Sequence, residues 1–123
     1  MISSAIGGGT GQALFISQSG LSDATLRLAN SAHNIANSNT DQFIPDHVNS
    51  VAHKGGGVST VVQPGQAPQF SPSVDPATVT FTSQTDLVTE MTNVILAKNA
   101  FGANAALLGT QSDVMKTTIE AVG

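Results

Sequence analysis

The chain has 123 residues, no Cys, Trp or Tyr, and a formal charge of −4. That length carries one compact domain, or a small domain with an elongated part, and the lack of Cys excludes a disulfide framework and thiolate metal sites. The acidic balance, with Arg27, Lys54, Lys98 and Lys116 far apart, excludes a nucleic-acid footprint.

No apolar run approaches the length of a membrane-spanning helix. The first residues lack the basic region and apolar core of a secretory signal, so export, if any, is expected without a cleaved signal of that type. Charged residues make up 10%, against roughly 25% in an ordinary soluble domain. Ser, Thr, Asn and Gln take their place. Such a surface can be covered by other polar surfaces with little ionic desolvation, which favours assembly.

Residues 1–12 hold Gly7, Gly8, Gly9 and Gly11. Glycine costs about 1 kcal/mol relative to Ala inside a helix, so this stretch is expected to be flexible and non-helical. A phosphate loop is excluded, because no strand precedes it and no Lys-Ser or Lys-Thr follows.

Residues 13–40 are expected to form a helix ending in an Asn-rich turn. Leu14, Leu21, Leu28 and Ile35 fall seven apart, beside a small column of Ser17, Ala24 and Ser31. That pattern suits close approach by a second helix. Asn34, Asn37 and Asn39 then disfavour continued helix.

Residues 41–84 form an insert. Short strands are expected at 48–51, 58–63 and 78–83, the last with Val79 and Phe81 on one face. Gly55, Gly56 and Gly57 make a turn, and Pro64, Pro68, Pro72 and Pro76 recur at every fourth residue, which excludes helix there.

Residues 85–123 are expected to form one long helix, capped by Thr85 or Ser83. One column is Leu87, Val94, Phe101, Leu108, Met115 and Val122; another is Met91, Lys98, Ala105, Ser112 and Ile119. The run has no proline and would reach roughly 55 Å. It should fold back on the N-terminal helix and exceed it by roughly ten residues. Gly102 and Gly109, seven apart, suggest close approach by a helix of another subunit.

His33, His47 and His53 carry no metal-ligand spacing, and no nucleophile motif is present. The chain is not expected to be an enzyme or to hold a cofactor, metal or small-molecule substrate.

Two stretches carry a resemblance. Asn34, Ile35, Ala36, Asn37, Ser38, Asn39 and Thr40 resemble the Asn-rich signature that ends the N-terminal helix of the bacterial flagellar basal-body rod protein family, the axial rod and hook proteins. Asp86, Leu87, Val88, Thr89, Glu90 and Met91 resemble that family's C-terminal signature. The order and placement match, and the small insert is closest in layout to the proximal-rod C type. Asp41 to Pro45 depart from the family's usual aromatic-basic run.

The resemblance implies a mainly α subunit, built as a long antiparallel N- and C-terminal helix pair with a small β-rich or irregular insert. It implies self-assembly into the axial shaft that transmits torque, with itself, other rod subunits and the flagellar export apparatus as partners. It places the protein in the basal-body rod, delivered through the flagellar type III channel. The alternatives are a soluble coiled-coil adaptor or export partner and, remotely, a small His-based metal-binding protein.

Overall fold

A computed structural model describes residues 2–70 and 73–123. Met1, and Pro72 of the proline series, lie outside the described residues. Two long helices, α1 (Ile2–Ala36) and α2 (Leu87–Val122), enclose a two-stranded antiparallel sheet of β1 (His47–Ala52) and β2 (Val58–Gln63). A 3-10 turn occupies Pro76–Thr78. The expected architecture, a mainly α helix pair with a small β insert, is the one observed.

Three local expectations are corrected. First, α1 begins at Ile2, so Gly7 to Gly11 lie inside it. Its 35 residues nearly equal the 36 of α2, so α2 does not exceed it by the ten residues expected. Helix propensity is a weak force beside the neighbouring turns that propagate the helix. Second, the strand expected at 78–83 does not form: Thr78 ends the 3-10 turn, and residues 79–84 have no place in the sheet. Two backbone bonds hold them to the turn after α1, from Gln42 N–H to the Phe81 carbonyl (2.8 Å) and from Gln84 N–H to the Phe43 carbonyl (3.0 Å). Third, Asp86 caps α2, not Thr85 or Ser83. Its carboxylate accepts from the N–H groups of Val88 (3.1 Å) and Thr89 (3.3 Å) and from the Thr89 hydroxyl (2.8 Å). Those bonds hold its pKa below the ordinary value, and a negative charge here also suits the helix dipole.

The seam between the helices differs most from the expectation. On α1 the small column is the buried one: Ser17, Ala24 and Ser31 are at most 2% exposed. On α2 the buried positions are Glu90 and Ala97. Continuing them by sevens reaches Asn104, Gln111 and Thr118, all half-buried. The leucine column of α1 flanks this seam. Leu14, Leu21 and Ile35 are half-buried, and Leu28 is exposed. On α2, Val94 and Leu108 are half-buried, whereas Leu87, Phe101, Met115 and Ile119 are exposed. Small residues let the two backbones come close. At Gly20 an added Cβ would lie 2.5 Å from the Asn104 side chain, so that side chain fills the space the missing Cβ leaves. Close approach pushes bulky side chains to the sides, where one partner helix cannot cover them.

The sheet lies along α1. Gly56 and Gly57 adopt φ of +93° and +84°, the left-handed region open to glycine, and turn β1 into β2. The turn rests on α1 through the Gln12 amide, which donates to the Gly55 carbonyl (2.8 Å). Val58 N–H donates to the Ser19 hydroxyl (3.2 Å).

Candidate functional site

The two signature stretches meet at one end of the helix pair. Asn34, fully buried in the last turn of α1, donates through Nδ2 to Glu90 Oε1 (2.8 Å) and to the Asp46 carbonyl (2.9 Å). Its Oδ1 accepts from Asp46 N–H (3.1 Å). Asn30 donates to the same carbonyl (2.9 Å). One amide thus ties α1, the start of the insert and α2 together. Glu90 is 5% exposed, and its second oxygen, Oε2, has no hydrogen-bond partner. A buried polar group without a partner costs about 1–3 kcal/mol, and more when charged.

The other signature residues have local duties or face outward. Asn37 Nδ2 donates to the His33 carbonyl (3.0 Å) and its Oδ1 accepts from Thr40 (3.1 Å), which closes the helix end. Ala36 is the last residue of α1, and Asn39 lies exposed in the turn. Ile35 flanks the seam. Leu87, Val88 and Met91 are exposed on α2. Gly102 and Gly109 are exposed as well, and an added Cβ at either would meet nothing within 4 Å inside the chain.

A second polar cluster pins the sheet to α1. Asp23 Oδ1 accepts from the Ser50 hydroxyl and from Thr60 Oγ1 (2.8 Å). Its Oδ2 accepts from Arg27 Nε (3.0 Å), and Arg27 Nη2 donates to the Ser50 hydroxyl (2.6 Å). Burial pushes the Asp23 carboxyl up, but hydrogen bonds from Ser50, Thr60 and Arg27, with the Arg27 charge, outweigh it and hold the pKa below the ordinary value. A carboxylate depressed in the folded state stabilises above its unfolded pKa, and that stability is lost as pH falls through the folded pKa. Stability should therefore decline on acidification below pH about 4, with Asp86 contributing in the same direction. The Asp23→Asn variant should show a shallower decline. Urea midpoints measured at steps from pH 6 to pH 2 check this; an unchanged slope in the variant would contradict the pinning role. Asp23 and Arg27 stand four apart, a spacing that marks a helix ion pair. Their reach to Ser50 and Thr60 had no signal in the sequence.

The histidines are not gathered. His33 is exposed and packs edge-on to Phe43, with ring centroids 5.5 Å apart. His47 opens β1, and His53 Nε2 lies 2.5 Å from the Ser59 hydroxyl. Among the described residues no group of three His, Asp or Glu is placed to hold a metal ion, and no helix is long and apolar enough to cross a membrane.

The whole is an antiparallel helix pair, closed by a polar clasp and flanked by uncovered apolar side chains. Residues 82–121 match the family described as flagellar basal body rod FlgEFG protein C-terminal. The match covers about a third of the chain: the segment before α2 and nearly all of that helix. The matched stretch includes Asp86 and Glu90, the cap and the clasp of α2. No curated protein matches the chain.

Proposed function

We propose that the chain is a structural subunit of the flagellar rod that self-assembles through α1 and α2 into the axial, torque-transmitting shaft. The observation that carries this reading is the division of side chains across the helix pair. Small and polar residues fill the internal seam, while Phe101, Leu107, Val114, Met115 and Ile119 stay 36–68% exposed along one helix. An isolated soluble pair would bury these first, since large apolar side chains yield about 1.5–3 kcal/mol each on burial. Neighbouring subunits are their natural cover, and rod subunits, including copies of itself, are the partners this implies. The low charge serves the same end, because many parallel contacts can form without stranding ions. On this reading the protein reaches the rod through the flagellar export channel. A soluble adaptor would share the helix pair but has no use for so much uncovered apolar surface.

The test is location and assembly. The chain should be found in purified basal bodies; finding it in the cytoplasm alone would defeat the reading. Gly102→Leu and Gly109→Leu probe the proposed contact face. Each side chain enters open space within the subunit, and each substitution gains up to about 1 kcal/mol of helix propensity. Helicity by circular dichroism should be kept or raised while rod assembly and motility are lost. Normal motility in both variants would sink this contact.

A further inference from the structure

The two strands are attached to the rest of the chain unevenly. Among the described residues, both pack on α1 and neither packs on α2. Their inner face is Val48, Ser50, Val58 and Thr60, each only half-buried, and no residue of either strand is buried. The outer face leaves Val51 and Val61 exposed. The seam of the helix pair, by contrast, buries Ser17, Ala24, Ser31, Asn34, Glu90 and Ala97. A region with little buried apolar surface opens at a lower free energy than the core beside it.

The hairpin is held at its base, middle and tip. At the base, Asn34 bonds both backbone groups of Asp46, and Asn30 donates to the same carbonyl. An added Cβ at Gly65 would run into the Pro45 carbonyl, so the two legs of the hairpin cross there in contact. In the middle, Ser50 and Thr60 stand opposite each other in the register. Asp23 Oδ1 accepts from both hydroxyls, so one side chain of α1 grips both strands at a single rung. At the tip are the Gln12 and Ser19 bonds, and Ile16 lies where a Cβ on Gly56 would be. Asp46 and Gly65 lie outside the paired residues 47–52 and 58–63. The strands can therefore leave α1 without breaking the base, but not without breaking the Asp23 grip.

We propose that β1 and β2 form a latched arm. When the Asp23 latch opens, the hairpin leaves α1 about its base, while the seam and the clasp stay closed. Opening uncovers Ile16, Val48 and Val58 and frees the insert to change its angle to the helices. The end where the two signature stretches meet keeps its shape. An undocked two-stranded hairpin is marginal in water, so the released strands fray and their amides become open to exchange. The arm is a property of the folded chain and does not depend on the rod reading.

The test is native-state hydrogen exchange of the full chain, followed amide by amide by NMR at rising urea below the unfolding transition. Relative to unstructured rates, the amides of β1 and β2 should exchange about tenfold or more faster than those flanking Ala24 and Ala97. Their exchange should also depend less on urea, because arm opening exposes less surface than unfolding. Asp23→Ala should raise strand exchange by about tenfold. Thr60→Val, which keeps the shape and strand propensity and removes one hydroxyl, is the milder second probe, with an expected rise of about threefold. Ala97→Gly separates the arm from the whole. It should speed exchange along the helix seam about fivefold and leave the strands unchanged, because the open-arm state still contains the seam. Strands that match the seam in rate and urea dependence would overturn the arm. So would strands accelerated by Ala97→Gly as much as the seam, or strands unmoved by Asp23→Ala and Thr60→Val.

Discussion

Asn34→Ala should destabilise the chain by about 3 kcal/mol or more, the largest effect expected of any single truncation in the structure. The variant loses all three hydrogen bonds of the clasp. It also leaves the buried Glu90 carboxylate with no partner on either oxygen, since Oε2 already lacks one. Removing the donor of a buried hydrogen bond costs more than the bond is worth, because the acceptor left behind has neither protein nor water to satisfy it. Glu90→Ala alone should cost less, as Asn34 keeps both bonds to Asp46. Added to Asn34→Ala, Glu90→Ala should cost little or restore stability. Urea unfolding of the four proteins completes the cycle. Strict additivity would mean that the 2.8 Å bond between Asn34 and Glu90 carries no coupling.

Ala24→Leu should be nearly as damaging, by about 2–3 kcal/mol, or a fall of about 10 °C in Tm. Ala24 is 1% exposed at the middle of the seam. A leucine there has no room unless the helices separate, and separation also opens the close approach of Gly20 to Asn104. Thr25→Leu, one residue on and solvent-facing, should shift stability by no more than about 0.5 kcal/mol. Thr25→Leu raises helix propensity and Ala24→Leu lowers it only slightly, so a large loss confined to Ala24→Leu in a thermal melt reports packing and not propensity. Equal behaviour would show that the small column is not the contact.

The two predictions mark where the sequence could and could not be read. The helix pair was legible from heptad spacing, and the strand at 58–63 from its β-branched run and the glycines before it. The column of Ser17, Ala24 and Ser31 was visible as a candidate for close approach. Its counterpart on α2 was not. A search for apolar residues by sevens selects Leu87, Val94 and Phe101, whereas the closest seam selects residues that are short, whatever their polarity. Glu90, Ala97 and Asn104 share no chemical class and stand out only once the backbones are in place. Asn34 and Glu90 each lay within a motif, but their bond spans 56 residues and has no local spacing to betray it. The Asp23 cluster was hidden for the same reason. The glycines near the start misled because propensity counts the cost of each residue and ignores the helix that propagates into them.

Those glycines also make the helix pair mechanically uneven. At one end, Asn34 and Glu90 lock three segments together, and bending there must break several bonds at once. At the other, Gly8, Gly9 and Gly11 leave open space where side chains would brace the first turns of α1. Protection of backbone amides from hydrogen exchange should therefore fall along α1 from the clasp towards the glycine turns.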